Sequence, residues 1–175
     1  MLKMNNYWLL AFVWLGLIYS TLYIVRPICS FLKENTPFSL LINLLLGLAF
    51  AGMTAVILKA VRKPGSYARL ALALSVYTAS LFVIAHPEEK LHLVEYGLLA
   101  FFLFRALTQD GARQPYLQAW VLASIAGWLD EGIQHILPNR YYQNTDVLLN
   151  AFSAGMGLVM VHILDRDQGK AKLAN

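Results

Sequence analysis

Six long apolar runs constrain what this chain can become. They cover residues 7–25, 38–58, 70–85, 91–107, 116–137 and 147–164. A helix that crosses a bilayer needs about 20 predominantly apolar residues, with about 17 as the lower end. The third run is short, but Arg69 at its edge can snorkel toward water. Turn chemistry separates the runs: Arg26-Pro27, Thr36-Pro37, Pro64-Gly65, His86-Pro87, Asp110-Gly111 and Pro138-Asn139. The first run is too long for a signal-peptide core and has no small-x-small cleavage site after it, so it reads as an uncleaved anchor. The expected fold is all-α: a bundle of about six transmembrane helices forming a single transmembrane domain over residues 1–175.

Composition supports this reading. The chain is 58% hydrophobic and 14% charged, with a mean hydropathy of +0.54. Soluble domains carry about 25% charged residues. The basic balance, a net +4, does not point to nucleic acid, because the cations sit between apolar runs as loop anchors do. Cys29 is the only cysteine, so no internal disulfide exists, and it reads as a bland thiol.

Orientation follows from Lys and Arg. Numbering the two faces alternately, one receives Lys3, Lys59, Arg62, Lys63, Arg69, Arg105, Arg113, Arg166, Lys170 and Lys172. The other receives only Arg26, Lys33, Lys90 and Arg140. The positive-inside rule then places both termini in the cytoplasm and the linkers 26–37, 86–90 and 139–145 outside. The acids show the opposite bias: Glu34, Glu88, Glu89, Glu95, Asp130, Glu131 and Asp146 lie outside or in the outer part of the membrane.

The stretch Gly127 to Asn150 breaks the apolar pattern with Asp130, Glu131, Gln134, His135, Arg140, Asp146 and Asn150. An ionisable residue within a span marks a candidate functional site. At about 1.5 Å per helical residue, Asp130 lies about 12 Å below the outer surface, and Glu95 and Asn150 about 6–7 Å. Helical spacing puts Gly127, Asp130, Glu131 and Gln134 on one arc, His92, Glu95 and Tyr96 on another, and Asp146, Asn150, Ser153 and Gly157 on a third. The expectation is one pocket, open outward, walled by the last three helices. Six acids there face only Lys90 and Arg140, and buried carboxylates in excess have to be paired, protonated or bound to a cation. Asp130 and Glu131 are the candidate acid/base or cation pair. His92, Glu95, Tyr96, Gln134, Arg140, Asp146 and Asn150 are the candidate substrate-binding set, with Arg140 as a clamp for an anionic head group. No cofactor is expected. A divalent metal is the one the spacing would allow, at His92/Glu95 or Glu131/His135, though neither spacing is diagnostic.

The plainer reading of the same residues is helix-to-helix hydrogen bonding that only fixes packing, with Asp146 and Arg140 as a capping ion pair. His135 lies off the main arc and reads as interfacial. Trp8, Tyr23, Tyr116, Tyr141 and Tyr142 read as belt aromatics. His86 reads as a solvated loop residue, and His162 and Asp165 receive no role.

At these residues the sequence resembles the VanZ-like family of small membrane proteins. Its first motif appears here as Lys90, His92, Glu95 and Tyr96. Its second, D-E-x-x-Q, then P-x-R, then Asp and Asn four apart, then small residues, appears as Asp130, Glu131, Gln134, Pro138, Arg140, Asp146, Asn150 and Gly157. Ser153 stands where the family usually has Gly. The motif region covers residues 88–157. The family's namesake is associated with low-level teicoplanin resistance, so the resemblance implies a multi-pass protein of the bacterial cytoplasmic membrane with a role in the envelope. It implies no particular reaction. The expected partners are membrane lipids, a lipid-linked envelope precursor or an amphiphilic antibiotic, and other membrane proteins. The functional expectation is binding or modification of a lipid-linked or amphiphilic envelope molecule. The alternative is a non-catalytic accessory subunit of a membrane complex, and a transporter is a weaker third.

Overall fold

In the computed structural model, which describes residues 5–84, 89–137 and 142–169 (side chains 25 and 26 excepted), the chain is all-helical. Six helices follow in order among the described residues: α1 Asn6–Asn35, α2 Phe38–Ala60, α3 Pro64–Val83, α4 Leu91–Gln109, α5 Pro115–Ile136 and α6 Asn144–Asp167. Segment Asn6–Ile24 of α1, together with α2, α3, α4 and α6, gives five helices long and apolar enough to cross a membrane. The described helix outside that set is α5, which is 22 residues long and carries Asp130, Glu131 and Gln134. Its length suffices, and these polar residues lower its apolarity.

Local chemistry sets the helix ends. The Asn5 side chain accepts hydrogen bonds from the backbone N–H groups of Tyr7 and Trp8 at 3.1 and 3.2 Å and so caps α1. Its amide donates to the Ala106 carbonyl and the Asp110 carboxylate, and Trp8 donates to Asp110 at 2.6 Å. These bonds tie the start of α1 to the end of α4. Pro64 and Pro115 open α3 and α5, where a missing N–H costs nothing. Gly111 ends α4 in the left-handed region, at φ 73°, where glycine carries no Cβ penalty.

The structure changes the expected bounds of three helices. The first helix does not stop at Arg26-Pro27 but runs through Pro27 to Asn35, so most of the expected 26–37 linker is helical. Proline removes one backbone hydrogen bond, and a single loss does not end a helix whose later turns are bonded. The break falls at Thr36-Pro37 instead, where Asn35 and Thr36 bond back to the carbonyls of Phe31 and Leu32. The third helix starts at Pro64 rather than 70, because the Asp167 carboxylate accepts the N–H groups of Arg62 and Lys63 at 2.9 Å each. The sixth covers Asn144–Asp167, longer at both ends than 147–164.

Helices α4, α5 and α6 form the packed centre, with α4 against α6 the most extensive contact and α1 leaning on α4. Glycines bring α4 and α6 together: a Cβ built on Gly157 would lie 2.5 Å from the Gly97 carbonyl oxygen. One core cluster joins Ala11, Tyr96, Leu99, Phe104, Ala123 and Leu158, and a second joins Ile57, Leu70, Tyr77, Leu93 and Met160. Helix α2 is held at the side by Phe50, whose ring lies tilted against that of Tyr77 at 5.8 Å, and by Lys90, whose ammonium donates to Asn43 at 2.8 Å. Leu40, Leu44, Leu45, Leu48 and Val56 of α2 are exposed. An apolar surface this extended is anomalous in water and ordinary against lipid.

Candidate functional site

The polar residues of α4, α5 and α6 meet inside the packed centre. On α5, Gly127, Asp130, Glu131 and Gln134 lie on the buried side, as helical periodicity dictates. Tyr96 on α4 donates its hydroxyl to Asp130 Oδ2 at 2.7 Å. Gln134 donates to Asp130 Oδ1 at 3.1 Å. Each Asp130 oxygen therefore has a donor. Glu131 points toward the start of α6, where its Oε2 accepts the Gln143 backbone N–H at 3.2 Å. Its Oε1 is buried with no hydrogen-bond partner among the described residues.

Asn150 on α6 lies against Gly127 so closely that a Cβ there would come within 2.5 Å of the Asn150 Cβ. Its amide donates to the Gly127 carbonyl at 3.2 Å, and its Oδ1 has no partner among the described residues. Asp146, in the first turn of α6, is buried, with Thr145 Oγ1 at 3.4 Å. The positive end of the helix dipole favours an acid there. On α4, His92 Nδ1 sits 3.4 Å from Glu95 Oε2, and the His92 ring stands 5.9 Å from that of Tyr96. Tyr96, Asp130, Glu131 and Asn150 each have 0% exposure.

Of the expected site residues, the structure brings Tyr96, Asp130 and Gln134 into one hydrogen-bonded group, with Glu131 and Asn150 on adjoining turns. His92 and Glu95 form a pair in the turn of α4 that leads into Tyr96, and Asp146 lies one turn before Asn150 on α6. Arg140 lies outside the described residues. His135 is exposed, its ring 6.4 Å from Tyr142, away from the carboxylates. Ser153 bonds back to the Leu149 carbonyl at 2.6 Å within its own helix, and the glycine crossing nearby stays close.

Electrostatically the site is rich in acid. Among the described residues, no lysine or arginine forms an ion pair with Asp130, Glu131 or Asp146. Nor do three His, Cys, Asp or Glu side chains converge as metal ligands among them. The arrangement can hold a proton or a single positive charge, and it presents acceptors rather than donors.

Two contributors on α1 escape the sequence. The Tyr19 hydroxyl donates to the Ala126 carbonyl at 2.7 Å, and Ala126 is one turn before Asp130. Trp14 donates to the Glu95 carbonyl at 2.9 Å. In a run of apolar residues such aromatics look like belt or core residues, and only the contact of α1 with α4 and α5 gives them a place. At the opposite end of the bundle, Asp165 pairs with Arg105 at 3.6 Å and accepts from Tyr116 at 3.4 Å. This ion pair, to which the sequence assigned nothing, clamps α4, α5 and α6 together.

No family model matches the chain, and no curated protein or solved structure is significantly similar to it.

Proposed function

We propose that this chain is a VanZ-like protein of the bacterial cytoplasmic membrane, with six spans and both termini in the cytoplasm, that binds or modifies a lipid-linked or amphiphilic envelope molecule and thereby alters teicoplanin susceptibility. The observation that carries the reading is the buried carboxylate pair Asp130 and Glu131 on α5, which no lysine or arginine neutralises among the described residues. A fold has no need of two such groups at the centre of an apolar bundle, because an apolar replacement of similar volume packs as well or better. In this reading Asp130 and Glu131 transfer a proton or hold a cation, and Gln134 and Asn150 position them. His92, Glu95, Tyr96 and Asp146 complete the walls of an outward-facing polar pocket, and Arg140 grips an anionic head group.

A specific observation favours the second reading, a non-catalytic accessory subunit. Both Asp130 oxygens are satisfied and the group has no exposed surface, as in a network that only locks helices. The unpartnered Glu131 Oε1 favours the first.

A deletion strain separates the two. A changed lipid or cell-wall precursor inventory together with altered teicoplanin susceptibility is the expected result. Altered susceptibility with an unchanged inventory would favour the accessory reading, and no change in either would end both. Topology is tested separately. A reporter inserted at Pro64-Gly65 is expected to read cytoplasm, and one at Gln143 outside. If both read the same side, the six-span arrangement fails.

A further inference from the structure

Away from the carboxylates, an open hollow of about 700 Å³ lies where the end of α1 meets the start of α2. Lys33, Thr36, Ser39, Leu40 and Asn43 line it, and among the described residues no acid does. Asn43 stands in the second turn of α2, and its Oδ1 accepts the Lys90 ammonium at 2.8 Å. An ammonium only donates, so the Asn43 amide cannot be turned round. Its Nδ2 hydrogens are left for another acceptor, and among the described residues none takes them. Lys90 is only 8% exposed, and among the described residues no carboxylate pairs with it. A buried charge is stable when it is paired. The amide that Lys90 holds is also the one that lines the hollow.

We propose that this hollow seats the phosphate of an anionic lipid in the outer leaflet. The proposal rests on the six-span reading for the side of the membrane, and on no part of the carboxylate chemistry. The lining offers donors of the right kind: the Lys33 ammonium, the Ser39 hydroxyl and the Asn43 amide. Phosphate oxygens accept from all three. Helix α2 opens beside them without a side-chain cap, so the positive end of its dipole adds to the field. Lys90 acts through Asn43, holding the amide in place and bringing a second positive charge. The hollow reaches from the Thr36-Pro37 turn to Asn43, which meets the start of α4, so it lies at the level of the lipid head groups at that end of the bundle. Below it, Leu40, Leu44 and Leu48 follow at i, i+4 and i+8 on one line of α2, and all three are exposed. They give an acyl chain an apolar track about 12 Å long that starts in the hollow itself, since Leu40 also lines it. That track favours a lipid over a soluble anion. The turn of α4 that carries Lys90 leads directly to His92, Glu95 and Tyr96.

The test places the full chain in phosphatidylcholine vesicles with a trace of photoreactive lipid. The probe is phosphatidylglycerol or phosphatidylcholine, each with the same photoreactive acyl chain, and labelled residues are mapped by mass spectrometry. Phosphatidylglycerol is expected to label residues 38–48 about fivefold more than phosphatidylcholine does, the gain that one cation gives at a lipid surface. Labelling near Lys59, at the other end of α2, serves as the internal reference. Asn43→Asp keeps the acceptor for Lys90, and so the fold, but sets a negative charge where the phosphate would sit. It is expected to remove the excess, and Lys33→Gln to cut it sharply, while both variants melt no lower than the wild type. An absent excess, or one that survives either substitution unchanged, overturns the proposal. An excess abolished by inorganic phosphate overturns the lipid assignment in favour of a soluble anion. If the excess is missing while deletion of the protein still alters teicoplanin susceptibility, this inference falls and the functional reading stands. An excess that behaves as expected, in a protein whose deletion changes neither susceptibility nor lipid inventory, gives the reverse.

Discussion

Glu131→Gln is expected to abolish the effect on teicoplanin susceptibility while the folded protein melts at or above the wild-type temperature. The two halves of this expectation have separate causes. Glutamine keeps the acceptor that receives the Gln143 N–H at the start of α6, so the α5–α6 tie survives. Its amide takes the place of the carboxylate without a charge, where Oε1 had no partner among the described residues. No buried carboxylate is left to be neutralised at this position, so Tm stays at the wild-type value or rises by roughly 2–4 °C. Ionisation is what the variant loses, and loss of a general acid or base costs about 10²–10⁴-fold in a proton-transfer step. Asp130→Asn is expected to lose function as well, again with the fold retained, since the Tyr96 hydroxyl can turn from donating to accepting. Drug susceptibility measured beside a detergent melt decides the matter. Wild-type susceptibility in both variants, with unchanged melts, would leave the carboxylates as packing groups.

The sequence made the helices legible because a bilayer imposes a length and an apolarity that few other folds require. It also made the inward arc of α5 legible, since Gly127, Asp130, Glu131 and Gln134 share a face at helical spacing whatever surrounds them. Helix ends were harder. Pro27 looked like a stop, yet one missing hydrogen bond does not outweigh the turns on either side of it. The early start of α3 depends on Asp167, roughly a hundred residues away in the chain, and no local rule reports a capping group that distant. The same distance hid Tyr19 and Trp14, whose hydrogen bonds to Ala126 and Glu95 exist only once α1 packs on the bundle. Least legible was the difference between the two carboxylates. Adjacent acids read alike in a sequence, and only the donors around each of them separate Asp130 from Glu131.

Gly157→Ala is expected to destabilise the protein by about 1–3 kcal/mol, and Gly157→Leu by more, enough to deplete it from the membrane. The cause is the α4–α6 crossing. A Cβ on Gly157 would lie 2.5 Å from the Gly97 carbonyl oxygen and 2.8 Å from the Gly97 Cα. Those are backbone atoms, which no rotamer change moves aside, so the helices themselves must part. Parting them also disturbs the site, because Tyr96 precedes Gly97 on α4 and Asn150 stands two turns before Gly157 on α6. A Tm fall of roughly 2–10 °C for the alanine variant follows from the size of the chain. Gly47→Ala on α2 is the matched control. Nothing lies within 4 Å of a Cβ there, so the better helix-forming residue is expected to leave the melt unchanged or raise it slightly. If Gly157→Ala melts with the wild type while Gly47→Ala behaves as expected, the two helices do not cross this closely, and the depth at which α4 presents Tyr96 to Asp130 would have to be redrawn.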